Sequence, residues 1–204
     1  MTSDAAAGEA GSSIVLPRFP EGYVLHTERL ILRPPALEDV DALWPYVTDP
    51  RVSRFIAWEP HPNKEVTKGM LRGLIEGQKQ GASYHWVIAL KDELIGLVSL
   101  IDVHRTHRCW TLNRAELAYW LGPAYWGCGY ATEASRQLLR FAFHDLAFHK
   151  IIVYHVPENP PSGAVAQRLG FRYVGRELEA FLKQGTWHSL EHYEILEREF
   201  CNQT

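Results

Sequence analysis

The stretch LAYWLGPAYWGCGYATEA, residues 117–134, decides the fold. RAELAYWL (114–121) reads as a strand that Gly122-Pro123 breaks. From Ala131, the residues Ala134, Leu138, Leu139, Ala142 and Leu146 form one stripe, which predicts an amphipathic helix over 131–147. Between strand and helix lie Gly127, Cys128, Gly129, Tyr130, Ala131 and Thr132. Small residues there let backbone amides converge on an anion, and the helix N-terminus adds positive potential. Phosphate or pyrophosphate is the ligand class this turn suits; the alternative is a tight turn that binds nothing. A P-loop would need Gly-Lys-Ser/Thr, which does not follow. A dinucleotide fingerprint would need a third glycine near the start of a βαβ unit, and antiparallel-type strands precede this turn instead.

The flanks read as further strands and helices. VLHTERLILRP (24–34) reads as a strand, and ALEDVDALWPYV (36–47) as a helix that Pro45 should kink or end. Asn63 caps a helix that stops near Gly81. SYHWVIAL (83–90) and LIGLVSLID (94–102) form a hairpin, and HRTHRCW (104–110) reads as a loop. KIIVYHV (150–156) is a strand, a short helix follows Asn159 and ends at Gly170, and FRYVGRELEAFL (171–182) with WHSLEHYEIL (187–196) closes a hairpin. The order is β-α-α-β-β-β-α-β-α-β-β, one α/β domain over 17–204 behind a disordered leader, 1–16.

Composition narrows the function. The chain has 204 residues, 46% hydrophobic and 22% charged, which excludes global disorder. With 21 basic and 24 acidic residues the formal charge is −3, so no direct nucleic-acid binding is expected. No apolar run reaches the roughly 18 residues of a membrane helix, and Asp4 and Glu9 occupy what would be the greasy part of a signal peptide. Cys109, Cys128 and Cys201 are odd in number and widely spaced, which fits a reducing cytoplasm better than a disulfide framework. His104 and His107, or His188 and His192, lack the carboxylate pattern of a metalloenzyme, so no metal is expected.

The segment 117–134 resembles the GNAT family of acyl-CoA-dependent N-acetyltransferases. Their Arg/Gln-x-x-Gly-x-Gly/Ala signature falls on Trp126, Gly129 and Ala131, with Trp126 departing from the usual Arg/Gln. Gly127 and Thr132-Glu133-Ala134 look most like the RimJ/RimL branch, which acetylates ribosomal-protein N-termini. TERLILRP (27–34), LIGLVSL (94–100), AELAYWL (115–121), Asn159-x-x-Ser162 and Arg168-Leu169-Gly170-Phe171 agree in order and spacing.

The resemblance implies a mostly antiparallel sheet of six to seven strands, with helices on both faces. It would splay between a fourth strand, RAELAYWL, and a fifth, KIIVYHV. Acetyl-CoA would be the co-substrate, its diphosphate on amides 127 to 132 and its pantetheine arm beside the backbone of Tyr119 and Leu121. Asn159 would bond that arm or merely cap its helix. Glu116 is the candidate base for the amine, or else a salt-bridged strand residue. A backbone N–H of the same strand would stabilise the oxyanion. Ser162 is the candidate acid for the departing thiolate, with Tyr154 or Tyr173 as alternatives. Cys128 reads as a small filler.

Phe55, Trp58, Tyr84 and Trp86 fall in segments that line the acceptor groove in the family. Loop 103–113, with His104, Arg105, His107 and Arg108, would form a basic mouth or a solvated loop. The expected acceptor is a protein N-terminal α-amine; alternatives are a small amine such as an antibiotic or metabolite, or a non-catalytic acyl-CoA sensor. A monomer or homodimer is expected.

Overall fold

A computed structural model describes residues 23–202, so the leader, 1–16, lies outside the described residues. The strands are β1 (Leu25–His26), β2 (Leu30–Arg33), β3 (Tyr84–Leu90), β4 (Glu93–His107), β5 (Trp110–Leu121), β6 (Lys150–His155), β7 (Arg172–Lys183) and β8 (Thr186–Leu196). They form one sheet in the order β1-β2-β3-β4-β5-β6-β8-β7. Every neighbouring pair is antiparallel except β5–β6. The helices are α1 (Val40–Val47), α2 (Pro50–Ser53), α3 (Lys64–Lys79), α4 (Tyr130–His144), α5 (Pro160–Arg168) and α6 (Glu197–Cys201). This is the expected architecture, with eight strands instead of six or seven. The extra strand comes from 24–34, which turns back on itself: Leu25 pairs with Leu32, the Thr27 amide donates to the Leu30 carbonyl, and the Leu30 amide donates to Thr27 Oγ1.

Both faces of the sheet are covered, and β3 shows how. Trp86 and Ile88 pack toward α4, with Leu138 and Leu139, while Val87 and Ala89 pack with Leu43 of α1 and Leu71 of α3. Successive strand residues point to opposite faces, so a strand covered on both sides is apolar at almost every position.

The parting of β5 from β6 positions the site. They pair only where Arg114, Ala115 and Glu116 lie beside Lys150, Ile151 and Ile152. Beyond that point β5 stays with β4 as far as Leu121 opposite Gly96, and β6 stays with β8 as far as His155 opposite Glu191. The sheet splays between the two expected strands.

Other differences are local. HRTHRCW is not a loop: β4 and β5 run on to a turn at Arg108, whose φ of 55° is left-handed. The tip of that hairpin, residues 106–111, is exposed, which is why its composition is polar like a loop's. Pro45 lies inside α1 without ending it, because the bond it forfeits is to Asp41, and both residues are exposed to water. Helix α4 stops at His144, and Ala147 takes a φ of 50°. The short helices α2 and α6 were not expected, although Asp49, which accepts from the Arg51 amide at 2.9 Å, and Pro50 after it mark the start of α2. Asn63 caps α3 as expected, accepting from the Val66 amide at 3.1 Å.

His85 of β3 is buried with both ring nitrogens bonded, Nδ1 to Ser99 Oγ and Nε2 to Ser83 Oγ, each at 2.8 Å. Burial pushes its pKa down from 6.5 to about 4. The folded state therefore favours the neutral ring. Its stabilisation is intact above pH 6.5 and is lost as pH falls from there to about 4. At 1.36 kcal/mol per pKa unit the loss totals about 3 kcal/mol. Urea unfolding at pH 7.5 and 4.5 should show much of it, and His85→Gln should flatten that pH dependence.

Candidate active site

The glycine turn is built from the end of β5. The Gly122 amide donates to the Ile95 carbonyl at 2.8 Å, and one 3-10 turn, Pro123–Tyr125, leads to Trp126. The Trp126 indole N–H donates to the Leu121 carbonyl at 2.8 Å. Trp126 thus closes the turn where the family signature has Arg or Gln. Gly127 and Gly129 adopt φ of 75° and 81°, a conformation glycine reaches without steric cost. Gly129 is the N-cap of α4 and has no side chain to cap it. The Glu133 amide donates to the Gly129 carbonyl at 3.0 Å, so the amides of Tyr130, Ala131 and Thr132 have no intrahelical acceptor.

Sequence reasoning missed what holds this turn in place. Glu133, in the first turn of α4, accepts from Thr27 Oγ1 at 2.6 Å, the Arg29 amide at 2.9 Å and Arg29 Nε at 2.6 Å. Arg29 also donates to the Cys128 carbonyl at 3.2 Å, and its guanidinium lies 4.5 Å above the Tyr130 ring. The β1–β2 turn is therefore fastened to the glycine turn. TERLILRP signalled the strand, and nothing local signalled its partner.

The turn opens on a cleft of about 1670 Å³. It is lined by Trp126 through Thr132, by Tyr119 and Leu121, by Asn159 and Ser162, and by Phe55. That volume exceeds the roughly 300–1,000 Å³ of drug-sized pockets and leaves room for an extended ligand beside a second substrate. Trp58 stands behind the wall, its ring edge-on to cleft-lining Trp120 at 6.1 Å. Tyr84 and Trp86 are corrections to the expected acceptor groove. They are 4% and 0% exposed on the α4 side of β3, and the Trp86 indole donates to the Tyr23 carbonyl.

Across the parting, the Tyr119 hydroxyl meets Ser162. It donates to the Ser162 carbonyl at 3.0 Å and lies 3.0 Å from Ser162 Oγ. Burial pushes Tyr119 up to about 12, so it stays a phenol that holds the serine. Asn159 is the N-cap residue of α5, yet its side chain makes no capping bond and lines the cleft. The alternative acids sit elsewhere. Tyr173 is 52% exposed on the edge strand and donates to Glu191 at 2.8 Å, while the Tyr154 ring lies tilted against His192, centroids 4.7 Å apart.

Glu116 stands at the closed end of the parting, opposite Ile152 in the last β5–β6 pair and opposite Ile101 of β4. Strand alternation turns Ala115, Leu117 and Tyr119 toward α4, and Glu116 with Trp120 toward α1 and α3. Burial, and secondarily the charge of Asp102, raises the Glu116 carboxyl to about 7. Among the described residues it makes no ion pair. Past Glu116, the side of β5 that faces β6 has no strand partner, so its backbone groups open into the gap.

Of the residues expected to form a basic mouth or a solvated loop, His107 and Arg108 are exposed at the end of the hairpin. Arg105 is drawn inward, its guanidinium 3.7 Å over Phe148 and bonded to Asn113 and, at 3.0 Å, to the Leu146 carbonyl. His104 Nε2 lies 2.7 Å from Asp102. Among the described residues no cluster of three or more His, Cys, Asp or Glu is arranged to hold a metal, and no helix is long and apolar enough to cross a membrane.

A glycine turn with amides free of helical acceptors, beside an open strand edge, suits a ligand with a diphosphate head and an amide-bearing arm; Glu116 lies at the closed end of the parting, outside the residues that line the cleft. Residues 29–172 match the acetyltransferase (GNAT) domain family, and the chain belongs to that family of N-acetyltransferases. The uncharacterized N-acetyltransferase p20 of Bacillus licheniformis is 30% identical over 179 residues, 87% of this chain and 98% of the relative. The ribosomal protein uS5-alanine N-acetyltransferase of Escherichia coli is 28% identical over 80% of this chain and 85% of its own length. Spermidine N-acetyltransferase of Vibrio cholerae, solved with CoA and spermine, superposes with a TM-score of 0.73 at 23% identity, covering 85% of this chain and 99% of that one.

Proposed function

We propose that the chain moves an acetyl group from acetyl-CoA to a protein N-terminal α-amine in the cytoplasm. The observation that carries the reading is Glu116, a carboxyl held near neutrality where the two strands part. Amides 127–132 bind the diphosphate; the open edge of β5 near Tyr119 and Leu121, with Asn159, binds the pantetheine arm. Glu116 accepts the proton of the attacking amine, directly or through water, as nitrogen bonds to the thioester carbon. An amide of β5 stabilises the oxyanion as the tetrahedral intermediate forms. As the C–S bond breaks, Ser162, held by Tyr119, protonates the thiolate and recovers its proton from solvent. Phe55 flanks the acceptor, with Trp58 supporting Trp120 beside it.

The cleft's charges support a peptide over a polyamine. Arg51, Arg54, Arg136, Arg140 and Arg168 outnumber Glu28, Glu133 and Glu158; with Arg51 committed to Asp49 and Glu133 to Arg29, four arginines still face two glutamates. A polycation would meet net repulsion. Cys109, Cys128 and Cys201 are exposed and form no disulfide among the described residues, which fits a reducing compartment.

Short peptides beginning with free Ser or Ala, the same peptides N-terminally blocked, and spermidine form the test panel. Acetylation confined to the free α-amines is the expected result by mass spectrometry. A larger kcat/KM on spermidine would replace the acceptor assignment, and acetyl-CoA binding with no turnover on any amine would make the chain a sensor.

A further inference from the structure

The hairpin of β7 and β8 does more than complete the sheet. At its end Lys183, 13% exposed, donates from Nζ to the carbonyls of Ser53 at 2.6 Å, Ile56 at 2.7 Å and Trp58 at 3.2 Å. A tetrahedral ammonium has three protons, and these carbonyls take all three. Beside it Gln184 donates to Glu59 at 2.9 Å. The segment so held leaves the end of α2 and has little regular bonding of its own: the Ile56 amide reaches the Ser53 carbonyl at 3.3 Å, and the His61 amide reaches the Val47 carbonyl at 2.9 Å. Yet it supplies a wall of the cleft through Phe55 and Ile56, and Trp58 backs Trp120.

We infer that Lys183 is a positioning residue for the acceptor. Its ammonium fixes the 53–58 segment from more than a hundred residues away, and so sets where Phe55, and Trp120 backed by Trp58, meet the incoming amine. The inference rests on the proposed acetyl transfer. Hydrogen bonds to a charged donor are the strong ones, and a half-buried ammonium whose donors are all engaged is a rigid anchor. Lysine suits the spot because its donors converge on one point, whereas arginine's planar fork spreads them. The glycine turn lies outside this contact, so acetyl-CoA binding is independent of it.

Lys183→Met removes all three bonds while keeping most of the stem. With a free-Ser peptide as acceptor, its KM should rise roughly 10- to 100-fold, the scale on which small misplacements of a substrate act. The acetyl-CoA dissociation constant should stay within about twofold, since the cradle is untouched. Amide hydrogen exchange should quicken in 54–62 and stay unchanged across 126–132. Should that variant fail to fold, Lys183→Gln, which keeps two donors, should show the same pattern at smaller amplitude. Unchanged exchange in 54–62, or faster exchange with an unchanged peptide KM, overturns the inference. So does a loss that appears in acetyl-CoA affinity. A wild-type chain that acetylates no amine overturns the proposed function itself, and that outcome is read before any variant is compared.

Discussion

Gly129→Val should weaken acetyl-CoA binding by roughly 100-fold or more, about 3 kcal/mol, while the chain stays folded. Gly129 has a φ of 81°, where a β-branched residue is strained. A Cβ there would lie 3.5 Å from Arg29 Nη2, an ordinary contact, so the fold has room for the side chain. The ligand does not. Valine must either stand before the amides of Tyr130, Ala131 and Thr132 or drag the backbone out of the left-handed region and turn those amides away. Gly127→Ala is the control: its φ of 75° carries the same sign of strain, but nothing lies within 4 Å of the added carbon. It should cost about 1 kcal/mol and much less affinity. Titration calorimetry reads the affinities and circular dichroism the fold. An unchanged dissociation constant in folded Gly129→Val would remove the phosphate cradle from the site.

The glycine turn was legible because strand, glycines and helix are contiguous, and each imposes its own local pattern. The parting of β5 and β6 was legible only through family resemblance, since nothing in KIIVYHV says where its pairing with β5 stops. The supports of the site were not legible at all. Arg29 reaches Glu133, Tyr119 reaches Ser162, and Lys183 reaches the carbonyls of 53–58, all between segments far apart in the chain. Side-chain bonds at that range leave no periodicity.

Tyr84 and Trp86 failed for a different reason. Alternation says that they share a face, but in a strand buried on both sides the composition does not say which layer that face meets. Residues 104–110 failed because polar composition is the usual mark of a loop, and a projecting hairpin shares it.

Glu116→Gln should lower turnover by ~10²- to 10⁴-fold, the usual worth of general-base assistance, and leave acetyl-CoA affinity near wild type. The amide keeps the size of the carboxyl and cannot take a proton. With the wild-type chain, kcat/KM should rise with pH through about 7, because only the ionised Glu116 accepts the amine proton. That limb should vanish in the variant. Ser162→Ala should cost less, since water can protonate a thiolate. Stability provides an independent sign. Glu116 lies above its ordinary value in the fold, so folding favours its protonated form. That contribution is full below about pH 4.5 and is lost as pH rises through about 7. Glu116→Gln, permanently neutral, should therefore melt above wild type at pH 8 and with it at pH 4.5. An ion-paired, structural glutamate has the opposite sign: its loss would lower the melting temperature at pH 8. Retention of more than about a third of wild-type turnover, far above the range expected for a lost base, would remove Glu116 from that role. A higher melting temperature beside collapsed turnover would show a site that keeps a carboxylate where the fold alone would not.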